Sequence, residues 1–486
     1  MTRTLVAKFG GTSVGSVAAI RTVTGLVRAA RAEWPQVVVV VSAMNGVTNA
    51  LLEGANTAAT GDDHRYRALA NELSTRHDDT IDALLESDAE RRAVRARVAT
   101  HINEFATLCH AVKVLGEASP RALDTISSLG ERINMHIVAA SLREQGCAAA
   151  AVRASDLICT DDHFQAANPD MDATRDLTRA RLLPLLQDGT VPVVTGFMGA
   201  TPDGAITTLG RGGSDYSAAI LATALDADEL WIWTDVNGVM TTDPRVDGRA
   251  RTLNSVTYRE IAELAYYGAK VLHPKTIRPV LERGITLRIK NTFEAEGPST
   301  RVVPDQNGPN DKGAIRAVTA IKDQSLITVE GLGMIGVQGI AARTFGAVAR
   351  TRTSVTLISQ ASSEQSICFT VQADHAPIVV KALEKEFGSE VARGDVDRVW
   401  SLDDVVIVTV VGAGMQHTPG IAGRVFSALG AQRLNVIAIA QGSSDCSISL
   451  ITTAADADDS VRAIHSLIVE DEATEAMEIT DSFARG

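Results

Sequence analysis

The last third of the chain repeats itself. Laid from Gly331 and again from Gly412, an offset of 81 residues, 17 of the 37 positions in 331–367 are identical without a gap. Gly333 recurs as Gly414, Met334 as Met415, Gly339 as Gly420, Arg343 as Arg424, Phe345 as Phe426 and Gln360 as Gln441. Repeated supersecondary units bury their apolar faces against neighbours, so each copy is constrained to be one folded module of roughly 80 residues. Each copy reads strand, Gly-rich turn, helix, strand, turn, strand, helix, which predicts two small α+β modules. Gly331-Leu332-Gly333-Met334-Ile335-Gly336 has the outline of a dinucleotide fingerprint. No acidic residue follows until Glu364, however, and the second copy carries His417 where the third glycine stands, so no dinucleotide is expected there.

The N-terminal part has a different grammar. A strand over 5–9, a Gly-rich turn, a helix over 17–32 and a buried strand over 37–41 make a βαβ unit, whose crossover should be right-handed. Residues 49–121 are polar and helical. There Ile102, Phe105, Ala106, Cys109 and Val112 keep helical spacing, which puts Cys109 on a core face rather than in a metal site with His110. Alternation resumes with strands at 191–195, 230–234 and 285–290 and a helix at 218–225, predicting a mostly parallel sheet covered by helices. Near Glu294 the composition shifts, and 294–314 holds Gly297, Pro298, Pro304, Gly308 and Pro309, which reads as a linker. The expected division is an α/β domain over 1–293 with a helical insertion at about 50–121, a linker over 294–314, and modules over 315–400 and 401–486, the C-terminal tail being available to pair with the first module.

Composition excludes several classes. Hydrophobic residues at 45% and charged residues at 22% fit a chain with sizeable cores. Lys and Arg number 46 against 59 Asp and Glu, a net charge of −13 that disfavours nucleic acid and anionic membranes as partners. The five cysteines are odd in number and never form C-x-x-C, so reduced thiols in a cytoplasmic protein are expected, without disulfides or a zinc knuckle. The longest pure apolar run, 37–41, is too short to span a bilayer, and no signal peptide is visible.

Four segments could carry chemistry. Lys8-Phe9-Gly10-Gly11-Thr12-Ser13-Val14 joins the first strand to the first helix. Its glycines let backbone N–H groups approach an anion, though an ordinary strand-to-helix turn fits the same residues. Thr208-Leu209-Gly210-Arg211-Gly212-Gly213-Ser214-Asp215 offers a guanidinium suited to a carboxylate, or simply a capped helix with Asp215 in its first turn. Trp233-Thr234-Asp235 ends a strand where open α/β sheets place ligands, and Asn237-Gly238 and Asp243-Pro244-Arg245 follow, which turn chemistry explains equally well. Gly268-Ala269-Lys270-Val271-Leu272-His273-Pro274 adds a lysine that reads alone as a solvated charge.

Taken together, these segments resemble the aspartate kinase family. The resemblance rests on K-F-G-G-T-S-V, V-S-A-M-N-G-V-T-N at 41–49, L-G-E-R at 129–132, G-R-G-G-S-D-Y-S, W-T-D-V-N-G-V-M-T-T-D-P-R and G-A-K-V-L-H-P, in that order along the whole chain, with the repeats resembling paired ACT domains. It implies an amino-acid-kinase-like α/β fold with an open, mostly parallel sheet and helices on both faces, followed by two ferredoxin-like α+β ACT domains. It further implies ATP-dependent phosphorylation of L-aspartate to 4-phospho-L-aspartate, the first step of lysine, threonine and methionine biosynthesis, with Mg²⁺ carried by ATP. A sibling kinase for another small carboxylate, and a silent ACT-type amino-acid sensor, are the competing readings.

Residue by residue, the resemblance makes Lys8 and Asp215 catalytic, Lys8 on the transferring phosphoryl group and Asp215 orienting it. Thr48, Glu131, Arg211 and Ser214 would bind aspartate, Arg211 its carboxylate and Glu131 its ammonium. Gly10, Gly11, Ser13, Ser42, Thr234, Asp235, Met240, Arg245, Lys270 and Val271 would serve ATP and its phosphates. Met240 departs from the pattern, since many relatives carry Tyr there. An amino-acid effector would lie on Met334, Gly339, Ile340 and Gln360 in one module and on Met415, Gly420, Ile421, Asn435 and Gln441 in the other. Neutral amides suit a hydroxyl side chain, which favours L-threonine over L-lysine. A homodimer or homotetramer assembled through the ACT segments is also expected. The chemistry itself needs no histidine relay, because a carboxylate nucleophile with a reference pKa near 4 is already ionised at neutral pH.

Overall fold

The computed structural model describes residues 3–267, 272, 274–304, 315–415, 418–441 and 446–484. Lys270, Val271, His273 and His417 lie outside them, as does 305–314 of the expected linker. The described residues pack as two units, one drawn from 1–239, 252–261 and 271–308, the other from 240–251, 262–270 and 309–486.

The first unit is built on an eight-stranded sheet. Its strands are β1 (Thr4–Phe9), β2 (Gln36–Val41), β3 (Ala149–Val152), β4 (Val191–Thr195), β7 (Glu229–Thr234), β8 (Ser255–Thr257), β9 (Thr286–Asn291) and β10 (Thr300–Val303); β5 (Met198–Ala200) and β6 (Ile206–Thr208) form a separate hairpin. The sheet order is β3-β4-β2-β1-β7-β9-β10-β8, parallel except where β9 meets β10. Strands buried on both faces read as continuous apolar runs. The five valines of β2, all wholly buried, show why.

Helices follow from local signals. In α1 (Val17–Glu33), the Ser16 hydroxyl accepts from the Ala19 N–H at 3.2 Å and caps the start. The polar stretch after β2 folds into α2 (Val47–Ala59), α3 (Asp63–Leu84), α4 (Asp88–Leu115) and α5 (Pro120–Ser127), leading into α6 (Leu129–Glu144). Phe105, Cys109 and Val112 are buried on α4 as expected, and burial pushes the Cys109 thiol up to about 12. Later come α7 (Met171–Gln187), α8 (Gly213–Ala224), α9 (Tyr258–Tyr266) and α10 (Pro274–Glu282).

The stretch read as a linker contains a strand. β10 pairs with both β9 and β8, and Thr300, wholly buried, donates to Leu253 O at 2.6 Å and accepts from Val239 N at 2.8 Å. Flanking prolines and glycines masked four residues whose partners lie far away in sequence.

In the second unit one six-stranded antiparallel sheet joins both repeats. It comprises β11 (Ala317–Glu330), β12 (Ile358–Gln360), β13 (Ser366–Gln372), β14 (Arg398–Val411), β15 (Ala438–Ala440) and β16 (Ser447–Thr453), in the order β12-β13-β11-β14-β16-β15. β11 and β14 pair along their whole lengths, from Ala317 opposite Val411 to Glu330 opposite Arg398. Each repeat therefore lends half a strand to the other's half of the sheet. The edges also meet, through the Ser359 hydroxyl donating to Ile439 O at 3.0 Å.

α11 (Ile340–Arg350) and α12 (Ala376–Arg393) cover the first module, α13 (Ile421–Ala431) and α14 (Ala457–Ala484) the second. Val461, Ile464 and Ile468 of α14 share a core with Val406 and Val408 of β14 and with Ile315 and Val318 from the span of the first module. Gly333 explains the apparent dinucleotide fingerprint. A Cβ there would stand 2.5 Å from Asp395 Cα, so this glycine allows close backbone packing. No helix among the described residues is long and apolar enough to cross a membrane.

The second unit also includes 240–251, from the span expected to be catalytic. His465 of α14, 1% exposed, holds this segment: its Nδ1 lies 2.8 Å from Asp247 Oδ2 and its Nε2 2.9 Å from Thr241 Oγ1. Arg249 and His465 keep the Asp247 carboxyl well below the usual carboxylate range.

Candidate active site

Open α/β sheets bind ligands outside the carboxyl ends of their strands. At that edge here, β1 carries Lys8 one residue before its end, β2 is followed by Ser42, and β4 leads to Gly196 and Phe197. They open into a cleft of about 390 Å³ whose lining includes Lys8, Gly11, Ser42, Thr48, Glu131, Arg211, Ser214 and Asp215. The structure thus gathers in one cleft the four residues expected to bind aspartate (Thr48, Glu131, Arg211 and Ser214) and the two expected to be catalytic (Lys8 and Asp215).

Each side chain is placed by its element. Lys8 is largely buried, and its Nζ lies 2.5 Å from Asp215 Oδ1 in the first turn of α8. Such a carboxylate holds the ammonium in one place. Glu131 sits in the first turn of α6, 3% exposed, with Oε2 lacking any hydrogen-bond partner. Burial pushes its carboxyl up to about 8 despite backbone hydrogen bonds from Ala43 and its own N–H. A buried carboxyl with a free oxygen facing a polar cleft is built to receive a cation. Arg211 is exposed in the cleft and forms no ion pair among the described residues. Gly210 precedes it with φ +78, and a Cβ there would meet Gln165 O at 2.9 Å, so the turn requires glycine.

Other expected residues are elsewhere. Ser13 is wholly buried, its hydroxyl 2.7 Å from Thr292 Oγ1 and 3.4 Å from Trp233 O, and it ties β1 to the β9 end instead of facing the cleft. Gly10 lies at the same sheet edge but donates to Trp233 O at 3.2 Å. Thr234 ends β7 and Asp235 follows it at that edge, neither lining the cleft. Met240 and Arg245 pack in the other unit, where Arg245 pairs with Asp243 at 2.6 Å in a tight turn. Asn237 is likewise structural, donating to Glu294 Oε2 and accepting from Asn291 Nδ2, both at 2.7 Å. Lys270 and Val271 lie outside the described residues.

Of the effector positions, Met334, Ile340, Met415 and Ile421 fill module cores, Ile340 and Ile421 as the first residues of α11 and α13. Gly339 and Gly420 cap α11 and α13. Gln360, Gln441 and Asn435 are exposed.

Two residues escaped the sequence reading. Phe197 lines the cleft with φ +71, a conformation that costs a bulky residue about 1–3 kcal/mol and concentrates at functional sites. Asn134, three residues after Glu131 on α6, donates to Ser42 O at 2.7 Å and holds the loop after β2. Its i, i+3 spacing from Glu131 was the available signal.

Glu131 gives a pH signature. Its folded pKa of about 8 exceeds the ordinary 4.5, so the ligand-free folded protein keeps a proton that the unfolded chain releases across that window. Stability should therefore fall as pH rises from about 5 to 8. In urea melts across that range, Glu131→Gln should flatten the slope; an equal slope in both proteins would refute the buried protonated carboxyl.

Comparison with known proteins agrees with this architecture. Residues 3–291 match the amino acid kinase family, and 327–387 and 408–467 match the ACT domain. The bifunctional aspartokinase/homoserine dehydrogenase 1 of Arabidopsis thaliana is 34% identical over 464 residues, 95% of this chain and 50% of that protein. The chain spans about half the length of the first curated relatives it matches. The aspartokinase of Candida albicans is 29% identical, covering 96% of this chain and 90% of that one. E. coli aspartokinase III in complex with lysine and aspartate superposes with TM-score 0.77 at 30% identity, over 96% of this chain and 99% of that chain. Its complex with aspartate and ADP gives TM-score 0.78 at 29% identity, over 96% of this chain and 100% of that chain. With the sheet, the cleft and the joined modules in place, the chain belongs to the amino acid kinase family and, within it, to the aspartokinases with tandem ACT domains.

Proposed function

We propose that the chain transfers the γ-phosphoryl group of MgATP to the side-chain carboxylate of L-aspartate, giving 4-phospho-L-aspartate and ADP. The observation that carries this is the cleft in which Lys8 and Asp215 stand with Glu131 and Arg211. Glu131 has the burial and free oxygen to accept an ammonium, which would draw off its proton. Arg211 supplies the fork for a carboxylate. The substrate's second carboxylate attacks phosphorus in line, already ionised, while Lys8 meets the charge that shifts in the transition state. Mg²⁺ on the nucleotide would neutralise phosphate oxygens. Relatives crystallised with aspartate, ADP and lysine support this reading. A coupled assay should show ADP release with L-aspartate, and far less with L-glutamate or with neither; aspartate-independent release would overturn it.

We infer also that the ACT unit senses an amino acid and inhibits the kinase, L-threonine in preference to L-lysine. Gln360 ends β12, Gln441 directly follows the equivalent β15, and both are solvent-exposed, free to hydrogen-bond a small hydroxyl side chain. Gln441→Ala should relieve threonine inhibition by about tenfold or more, a coupling within the usual 1–3 kcal/mol, while uninhibited turnover stays near wild type. Suppression by lysine with no response to millimolar threonine would reverse the assignment. Exposed Leu332, Ile335 and Val337 in the first module support assembly through this unit, checked by analytical ultracentrifugation.

A further inference from the structure

One buried aspartate in the first unit lies outside the cleft yet connects its two sides. Asp124 of α5 is 1% exposed. Its Oδ1 accepts from Thr208 Oγ1 at 2.8 Å and from Gln165 N at 3.1 Å; its Oδ2 accepts from Thr208 N at 2.8 Å and from Gln165 N at 2.9 Å. Burial raises its pKa while these donors pull it back down. Burying a carboxylate is costly unless it is fully hydrogen-bonded, so an arrangement of three donors on one side chain needs a reason.

The reason lies in what each partner carries. Thr208 ends β6, two residues before Gly210 and three before Arg211. Gln165, itself at φ +70, sets its carbonyl against Gly210, and Ala167 N donates to Thr208 O at 3.0 Å. On the other side, Asp124 O accepts from Ser128 N at 3.1 Å, and Ser128 is the N-cap of α6, the helix that carries Glu131. Asp124 thus holds α6, which bears the ammonium acceptor, through its main-chain carbonyl, and holds the strand that leads to the carboxylate clamp through its side chain.

We propose that Asp124 is a positioning residue that fixes the separation of Glu131 from Arg211 and thereby selects an amino dicarboxylate of aspartate's length. The proposal rests on the reading of the cleft as an aspartate site. Productive geometry tolerates about 0.5 Å, less than the reach of one added methylene, so a loosened tether admits a longer substrate. In Asp124→Asn the shape is kept, but an amide N–H must face a backbone N–H of Thr208 or Gln165.

The test is steady-state kinetics of the full chain with L-aspartate, L-glutamate and ATP, with thermal melts alongside. Asp124→Asn should raise KM for aspartate about tenfold and reduce aspartate-over-glutamate selectivity about tenfold, leaving KM for ATP within about twofold. Thr208→Val, which removes one donor and keeps the backbone, should shift both in the same direction by less and supplies the readout should Asp124→Asn not fold. Thr208→Ser keeps every donor and should restore wild-type selectivity. Unchanged selectivity in both Asp124→Asn and Thr208→Val overturns the proposal, as does a loss of turnover, ATP affinity and aspartate affinity in parallel with melting temperature. Absence of aspartate-dependent ADP release in the wild-type enzyme overturns the aspartate reading, and the proposal with it; normal wild-type kinetics with unshifted variants overturns the proposal alone.

Discussion

Replacing Lys8 by alanine is expected to lower kcat by about 10²–10³-fold while KM for aspartate changes by no more than about threefold. The ammonium is largely buried near the end of a central strand and held 2.5 Å from Asp215, so its charge is in place before the reaction begins. A preorganised cation contributes most where negative charge moves, on the phosphoryl oxygens, and little to a carboxylate ligand held elsewhere in the cleft. Single-turnover phosphorylation separates this from slow product release. Lys8→Arg should retain part of the rate if charge alone matters. A variant whose turnover falls less than tenfold would remove Lys8 from the phosphoryl-transfer role.

Arg211→Lys should act on the other half of the catalytic constants. We expect KM for aspartate to rise about 10- to 100-fold, the range given by losing one charge-assisted hydrogen bond of a bidentate pair. An ammonium keeps the charge but presents no planar fork. Arg211 is exposed and free of ion pairs among the described residues, so the substitution breaks no internal contact and melting temperature should hold. Isothermal titration with aspartate measures the loss directly. A normal aspartate affinity in this variant would assign the carboxylate to another group.

Both variants test residues that are legible in the amino-acid sequence, and the reason is locality. Lys8, the adjacent glycines and the first helix lie within one strand-turn-helix, where periodicity and turn chemistry determine the backbone over a dozen residues. The β2 valines and the gap-free repeat are equally local, so the parallel sheet and the paired α+β modules could be read from spacing and self-similarity. The six motifs, each short and internally ordered, carried the resemblance and eight of the cleft residues with it.

Tertiary structure decided what local pattern cannot hold. Ser13 sits in the Gly-rich turn, yet its hydroxyl meets Thr292, 279 residues away, and does not line the cleft. Thr300–Val303 is a strand only because β9 and β8 flank it, and flanking prolines and glycines hid it. The interchange of β11 and β14 depends on a register between strands about one repeat apart, and 240–251 joins the second unit through His465, more than 200 residues on. Phe197 and Asp124 carry no motif at all. A left-handed backbone and a buried carboxylate become visible only when distant segments close around them, because their energies come from neighbours brought together by the fold and not from residues next to them in the chain.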